Sequence, residues 1–189
     1  MKENNLLLRN RKYRALANFL TIFRCLIGLP IIILLTYNKL LLAWALILIG
    51  GLTDILDGKI ARLSGTVSSF GSKLDPLADK LLLLAPIIWL CKINLLPLWS
   101  VWILLTREIV VSTWRSDIPS GGPASVGAKV KTFLQFFSII LLLWPAELGG
   151  IYIKLKLNLI GWYIFWPSLL LALTSALGYI RSQSISHQK

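Results

Sequence analysis

Residues 40–62 read LLLAWALILIGGLTDILDGKIAR, and this stretch decides the fold class. No charge interrupts residues 40–53, after which the apolar run passes directly into Asp54 and Asp57. A membrane-spanning helix needs about 20 predominantly apolar residues. Carboxylates at the edge of such a helix are costly unless they bind something. The stretch therefore predicts a transmembrane helix with a functional site at one end.

Further apolar segments of similar length lie on both sides, and 56% of the 189 residues are hydrophobic. Soluble domains average about 45–50%. The pattern predicts an all-α integral membrane protein, a six-transmembrane-helix bundle with spans near residues 17–37, 40–62, 74–92, 97–116, 130–147 and 157–181. Residues 1–16 carry three consecutive leucines followed by Lys and Arg, which predicts a short N-terminal amphipathic interfacial helix. Residues 17–189 then form one membrane domain.

The net charge of +12 comes from 20 Lys and Arg residues against eight acids. With six spans, all but four of these cations fall on the side of the two termini; the exceptions are Lys39, Lys92, Lys154 and Lys156. Cytoplasmic loops are enriched in Lys and Arg, which predicts that both termini and the aspartates face the cytoplasm. Topology and attraction to anionic membrane lipids explain the charge. We expect no nucleic-acid binding, because no stacking platform or basic groove motif accompanies it.

The cysteines and the histidine exclude two kinds of site. Cys25 and Cys91 lie far apart within apolar segments, and neither has the neighbouring ligands that a zinc site requires. His187, the only histidine, lies in the polar tail. We therefore expect no disulfide, no zinc site and no histidine-based catalysis.

Small and acidic residues share one stripe at the end of the second span. On a helix, Asp54 and Asp57 lie about 60° apart around the axis, and Gly58 and Ala61 lie within about 40° of Asp54. The small side chains let a flat or bulky ligand approach the backbone beside the acids. Arg62 flanks the stripe and can bind a phosphate. The stripe therefore predicts a ligand site at the end of the second span.

A second acidic pair follows in Gly71-Ser-Lys-Leu-Asp75-Pro-Leu-Ala-Asp79. Asp75 and Asp79, four residues apart, share a face of the next helix. Four carboxylates on two neighbouring helices would repel one another without cations, and Mg²⁺ and Mn²⁺ prefer oxygen ligands. Four acids can hold two such ions, and paired ions stabilise phosphoryl transfer. The cluster therefore predicts a two-metal site.

Structural explanations exist for single positions. Asp75 before Pro76 also fits a helix N-cap followed by a first-turn proline, and the small residues could serve helix packing. Together these explanations leave Asp54, Asp57 and Asp79 without a role, so we favour the binding site.

The pattern D-x-x-D-G-x-x-A-R-x8-G-x-x-x-D-x-x-x-D resembles the signature of the CDP-alcohol phosphatidyltransferases. All eight fixed positions are present: Asp54, Asp57, Gly58, Ala61, Arg62, Gly71, Asp75 and Asp79. The resemblance implies a six-helix membrane enzyme whose site lies at the cytoplasmic edge. It also implies that two divalent cations are bound by the four aspartates, that Asp79 is the catalytic base, and that the CDP-lipid is bound around Gly58, Ala61, Arg62 and Ser68.

The first span begins Asn18-Phe-Leu-Thr21-Ile-Phe-Arg24. It resembles the N-x-L-T-x-x-R segment of bacterial phosphatidylglycerophosphate synthases, which implies that Asn18 and Thr21 line the CDP-lipid pocket. An N-cap asparagine and a packing threonine are the alternative. Arg24 either extends to lipid headgroups or pairs with an acid, and the sequence leaves both open.

Four cations, at the end of the fourth span and the start of the fifth, predict a phosphate site. Arg107-Glu108 with Arg115, and Lys129-Val-Lys131-Thr, resemble the R-E-x6-R and K-x-K-T patterns of the same synthases, in which they bind the acceptor phosphate. Ordinary positive-inside charge is the alternative. The family usually has Gly directly before the first lysine, whereas this chain has Ala128.

These residues predict a function in phospholipid biosynthesis. The phosphatidyl group of CDP-diacylglycerol would be transferred to sn-glycerol 3-phosphate, giving phosphatidylglycerophosphate and CMP, in the cytoplasmic membrane of a bacterial-type cell. The resemblance also implies a homodimer. Phosphatidylglycerol, for cardiolipin synthesis, and inositol phosphate are alternative acceptors. A non-enzymatic divalent-ion carrier is the alternative from another class, but ion passage needs neither the small residues nor Arg62.

Overall fold

A computed structural model describes the backbone of residues 2–64, 69–116 and 126–186, and side chains within 15–54, 77–111 and 130–176 except those of residues 17 and 79. Six α-helices occupy these ranges: α1 (Lys2–Thr36), α2 (Leu40–Ser64), α3 (Ser69–Lys92), α4 (Leu98–Ser116), α5 (Val126–Leu142) and α6 (Gly150–Ser186). A single 3₁₀ turn, Ala146–Leu148, precedes α6. The described ranges contain no strand, which confirms the prediction of an all-helical chain.

The helices extend beyond the predicted spans at six of their twelve ends. Residues 2–16 are the first part of α1, so the prediction of a separate short helix was wrong; its location at the membrane interface stays a prediction. The backbone of α3 begins at Ser69, before Asp75, which excludes the N-cap explanation of that residue. Apolar runs mark where a helix leaves the bilayer, whereas backbone hydrogen bonds continue through polar residues.

Short connections join several helices. Asn38, after α1, and Asn94, after α3, have positive φ values of 57° and 58°. Asparagine adopts this left-handed conformation more readily than most residues. After α5, Pro145 precedes the 3₁₀ turn, and because proline lacks a backbone N–H it cannot extend the preceding helix. This explains why α5 ends at Leu142 rather than near residue 147.

Apolar surface on the helices agrees with a membrane environment. Among the described residues, Asn18–Thr36 and Gly150–Ala176 are long and apolar enough to cross a bilayer. The outward face of the first segment includes Phe19, Leu26 and Leu29, which are 64%, 67% and 66% exposed. Large apolar side chains displayed in a row suit lipid contact better than water.

The chain divides into two compact units, Met1–Pro86 and Ile87–Lys189. In the first unit α1 packs along α2, and Ile27, Ile31, Ala43 and Ile47 form part of its buried core. Glycine lets α3 approach α1 closely, since a β-carbon on Gly28 would lie 3.4 Å from the carbonyl oxygen of Leu81. The first unit is therefore a three-helix arrangement.

In the second unit α6 packs against α5 and α4. The crossing of α5 and α6 is close, because a β-carbon on Gly161 would lie 2.9 Å from the backbone nitrogen of Leu142 and 3.0 Å from the carbonyl oxygen of Ser138. Ser138 Oγ donates to the carbonyl oxygen of Gly161 at 2.8 Å. Small residues and interhelical hydrogen bonds are the usual means of close helix packing in membranes.

Candidate functional site

The aspartate motif lies on two helices, as predicted. The backbone of α2 is helical from Leu40 to Ser64 and that of α3 from Ser69 to Lys92. Asp54 is the one motif aspartate whose side chain is described. Seven further residues of the predicted metal and CDP-lipid sites have side chains outside the described residues: Asp57, Gly58, Ala61, Arg62, Ser68, Asp75 and Asp79. Their roles remain predictions.

A contact between α2 and α3 indicates which helical faces meet. A β-carbon on Gly50 would lie 2.6 Å from Cδ1 of Leu82. Around the axis of α2, positions 54 and 57 lie within about 40° of position 50. Around the axis of α3, positions 75 and 79 lie within about 60° of position 82. The backbone positions of both acidic pairs are therefore on the helix faces that meet at this contact.

The same contact fixes the direction of the two helices. Gly50 lies 14 residues before the end of α2, and Leu82 lies 13 residues after the start of α3. Because the two positions are almost equally far from the connection, α2 and α3 form an antiparallel hairpin at this point. From the contact toward the connection, α2 carries first position 54 and then position 57. In the same direction, α3 carries first position 79 and then position 75.

Arg24 of α1 pairs with the first motif aspartate. Its Nη1 donates to Oδ1 of Asp54, and the Arg24 side chain is fully buried whereas that of Asp54 is 49% exposed. Of the two possibilities that the sequence leaves open, the structure shows the ion pair. A permanent cation beside the cluster offsets part of the repulsion among its carboxylates. Asp54 stays accessible to a ligand because half of its surface is exposed.

Asn18 and Thr21 precede Arg24 on the same helix. The helix begins at Lys2, so Asn18 is not an N-cap, and that alternative was wrong. Thr21 is buried and Asn18 is half-buried. Contact of these two side chains with a CDP-lipid remains a prediction.

The second polar cluster centres on Arg107 of α4, a predicted acceptor ligand. Its Nε donates to the carbonyl oxygen of Ala172 at 2.8 Å, and its Nη2 donates to Ser175 Oγ at 2.6 Å. Both partners belong to α6. The remaining nitrogen, Nη1, donates to Oε1 of Glu108 at 2.8 Å. Three separate bonds therefore fix the guanidinium plane, and the side chain is only 7% exposed.

Lys131 of α5, another predicted acceptor ligand, meets the same carboxylate. Its Nζ donates to Oε1 of Glu108, and the Lys131 side chain is 5% exposed. One oxygen atom thus joins two buried cations from different helices. The structure brings Arg107 and Lys131 together as the sequence predicted; the side chains of Arg115 and Lys129 lie outside the described residues.

Sequence reasoning missed two members of this cluster. Glu108 was treated only as part of a pattern, although an acid beside a predicted phosphate-binding arginine is itself a signal. Ser175 was not among the predicted site residues, and its bond to Arg107 spans 68 residues of sequence, which no local pattern could indicate.

Comparison with known proteins identifies the family. The family model described as CDP-alcohol phosphatidyltransferase matches residues 14–174. The chain belongs to the CDP-alcohol phosphatidyltransferase family. Every residue that the sequence analysis assigned to the site lies within the matched range. The match confirms the predicted family. Members of this family are membrane proteins that generally use divalent metal ions. The predictions of a membrane location and of a divalent-metal requirement are confirmed at this general level.

Three relatives illustrate the range within the CDP-alcohol phosphatidyltransferase family. A Rickettsia felis protein named CDP-diacylglycerol–glycerol-3-phosphate 3-phosphatidyltransferase is 36% identical over 174 residues, covering 88% of this chain and 94% of the relative. A Mycobacterium tuberculosis protein named probable phosphatidylglycerophosphate synthase is 37% identical, covering 69% and 66%. A Drosophila melanogaster protein named probable cardiolipin synthase (CMP-forming) is 41% identical, but covers 49% of this chain and 29% of the relative.

Proposed function

We propose that this enzyme transfers the phosphatidyl group of CDP-diacylglycerol to sn-glycerol 3-phosphate, releasing CMP and forming phosphatidylglycerophosphate. The proposed acceptor is based mainly on two buried cations. Arg107 and Lys131 come from two helices and converge on one carboxylate oxygen, an arrangement suited to a phosphoryl group. The names of the relatives that cover most of the chain support the same acceptor.

The donor set of the motif fits divalent cations. Asp54, Asp57, Asp75 and Asp79 would hold two Mg²⁺ or Mn²⁺ ions, since all four offer carboxylate oxygens, the ligands that these hard ions prefer. Bound there, the ions would neutralise the diphosphate of the CDP-lipid and the charge that develops during transfer. The half-exposed Asp54 side chain leaves room for such a ligand.

The other predicted site residues would bind the two substrates and transfer the proton. Asn18, Thr21, Gly58, Ala61, Arg62 and Ser68 would bind the CDP-lipid, and Arg115 and Lys129 would add to the acceptor site. Asp79 would take the proton of the acceptor hydroxyl as that oxygen forms its bond to the phosphorus bearing diacylglycerol. The bond from this phosphorus to the CMP oxygen breaks, and CMP leaves with the electron pair.

The protein would work as a multi-pass enzyme of a bacterial-type cytoplasmic membrane. Six spans, a membrane domain at residues 17–189 and an interfacial segment at 1–16 would place both termini and the motif on the cytoplasmic side. The excess of Lys and Arg on that side supports this orientation. A homodimer is part of the same proposal.

CMP release measures the proposed function directly. Purified protein in detergent micelles is given CDP-diacylglycerol and Mg²⁺ with sn-glycerol 3-phosphate, phosphatidylglycerol or inositol phosphate as the acceptor. Of the three acceptors, we expect only sn-glycerol 3-phosphate to support CMP release. CMP release with only one of the other acceptors would show that the proposed acceptor is wrong and the proposed enzyme class is right. A protein inert with all three, yet folded by circular dichroism, would contradict the proposal.

Asp79→Asn tests the proposed base within that assay. The amide keeps the shape of the side chain but cannot accept the proton, so turnover should fall by about 10²–10⁴-fold while CDP-diacylglycerol still binds. Glu147→Gln is the matched control, because Glu147 is an exposed acid of the 3₁₀ turn; this variant should turn over at the unmodified rate.

A further inference from the structure

Glu108 occupies the point at which the two buried cations of the second unit converge. Nη1 of Arg107 and Nζ of Lys131 both donate to the same oxygen, Oε1. The cation side chains are 7% and 5% exposed, whereas that of Glu108 is 22% exposed. The carboxylate is therefore the most accessible of the three charged groups, and it can move away while the cations stay buried.

Glu108 is not required to orient Arg107. Two other nitrogens of that guanidinium are held from α6, by the carbonyl oxygen of Ala172 and by Ser175 Oγ. These bonds fix the plane of the group and direct Nη1 toward Glu108. The specific contribution of Glu108 is consequently its negative charge at the position where Arg107 and Lys131 meet.

We infer that Glu108 is a resident anion that competes with the acceptor phosphate and sets the charge an acceptor must carry. This inference rests on the proposed function. A phosphoryl group that reaches Arg107 and Lys131 takes the place of Oε1 of Glu108 on at least one of them. Glu108 is thus a specificity-determining residue, and its displacement is part of acceptor binding.

The competition favours dianions. A phosphomonoester such as sn-glycerol 3-phosphate is mostly dianionic at neutral pH, because its second pKa is about 6. It brings one more negative charge than the carboxylate that it replaces. A phosphodiester, such as the headgroup of phosphatidylglycerol, is monoanionic and brings no additional charge. Glu108 therefore lets the cluster bind a soluble phosphomonoester and reject a lipid phosphodiester.

Glu108→Gln removes the charge and nearly preserves the shape. Two probes compete with sn-glycerol 3-phosphate in the CMP-release assay: inorganic phosphate as the dianion and dimethyl phosphate as the diester. We expect the KM for sn-glycerol 3-phosphate and the Ki of inorganic phosphate to fall by about tenfold, the scale of one charge-assisted hydrogen bond. Dimethyl phosphate, which should not compete in the unmodified enzyme, should compete in the variant. The change should appear in KM rather than in kcat.

A purely structural role for Glu108 predicts the opposite. If the carboxylate only holds the helices together, the KM and the Ki of inorganic phosphate stay unchanged or rise, dimethyl phosphate still does not compete, and the inference is overturned. Glu147→Gln removes one exposed acid of the 3₁₀ turn that follows α5; it should leave the KM and the Ki of inorganic phosphate unchanged, and dimethyl phosphate should still not compete. If Glu108→Gln does not fold, Glu108→Asp withdraws the carboxylate by one methylene and should lower the Ki of inorganic phosphate less, but in the same direction.

A binding measurement separates this inference from the proposed function. Stabilisation of the purified protein by inorganic phosphate, followed by its melting temperature, needs neither CDP-diacylglycerol nor turnover. Stronger stabilisation of Glu108→Gln than of the unmodified protein supports the competition even if no acceptor yields CMP. Equal or weaker stabilisation overturns it, whatever the enzyme assay shows.

Discussion

The ion pair between Arg24 and Asp54 predicts an unequal response to the loss of either partner. Arg24 is fully buried, whereas the Asp54 side chain is 49% exposed. Asp54→Asn leaves a buried guanidinium without this carboxylate, and removing the partner of a buried charge costs up to about 3–5 kcal/mol. Arg24→Met leaves a carboxylate that water can still solvate, so the loss should be closer to the value of an exposed pair, about 1 kcal/mol.

Thermal unfolding in detergent micelles measures the difference, and the eight tryptophans provide a fluorescence signal. In a chain of this size, 1 kcal/mol shifts the melting temperature by about 2–4 °C. We therefore expect a decrease of about 10 °C for Asp54→Asn and about 3 °C for Arg24→Met. EDTA in the buffer prevents bound metal from contributing to the result.

The double variant provides the decisive comparison. With Met at position 24, no buried charge remains to be compensated, so adding Asp54→Asn should cost almost nothing more. Equal losses in the two single variants, or additive losses in the double variant, would refute the argument that burial of Arg24 sets the energy of the pair. Glu147→Gln serves as the control, since an exposed acid should change the unfolding free energy by no more than about 0.5 kcal/mol.

Two further predictions concern packing and metals. Gly161→Ala should lower the unfolding free energy by about 1–3 kcal/mol, because its β-carbon would meet backbone atoms of α5. Gly50→Ala should cost less, because it meets only the end of the flexible Leu82 side chain; equal melting temperatures would contradict this. Chelation by EDTA should abolish CMP release, and Mg²⁺ or Mn²⁺ should restore it; undiminished turnover after exhaustive dialysis against EDTA would count against a metal requirement.

The helices and the motif could be predicted from sequence because both are local signals. Apolar runs of about 20 residues indicate helices wherever they occur, and the spacing of Asp54 and Asp57 has meaning as soon as their segment is helical. Helix ends were less predictable: α1 continues back to Lys2 and α6 begins at Gly150. Hydropathy reports contact with lipid, and backbone hydrogen bonding does not stop at the lipid boundary.

The partners of the buried cations could not be predicted, because they depend on how helices rotate against one another. Arg24 could have faced lipid or any acid; its pairing with Asp54 requires a specific packing of α1 on α2. Arg107 and Lys131 were expected to share a phosphate site, yet the residue that joins them, Glu108, follows Arg107 directly in sequence. Adjacent helical residues lie about 100° apart, so only the structure reveals that their side chains meet.

The connection between α1 and α2 has a consequence for the biogenesis of the protein. Only residues 37–39 separate these helices, and a loop this short brings its ends together at little entropic cost. The two helices can therefore pair during synthesis, as soon as α2 has left the ribosome. Arg24, an expensive residue to leave alone in a bilayer, meets Asp54 within this first hairpin. The charge that makes α1 difficult to insert is thus compensated by the next helix made, and this pairing requires no later part of the chain.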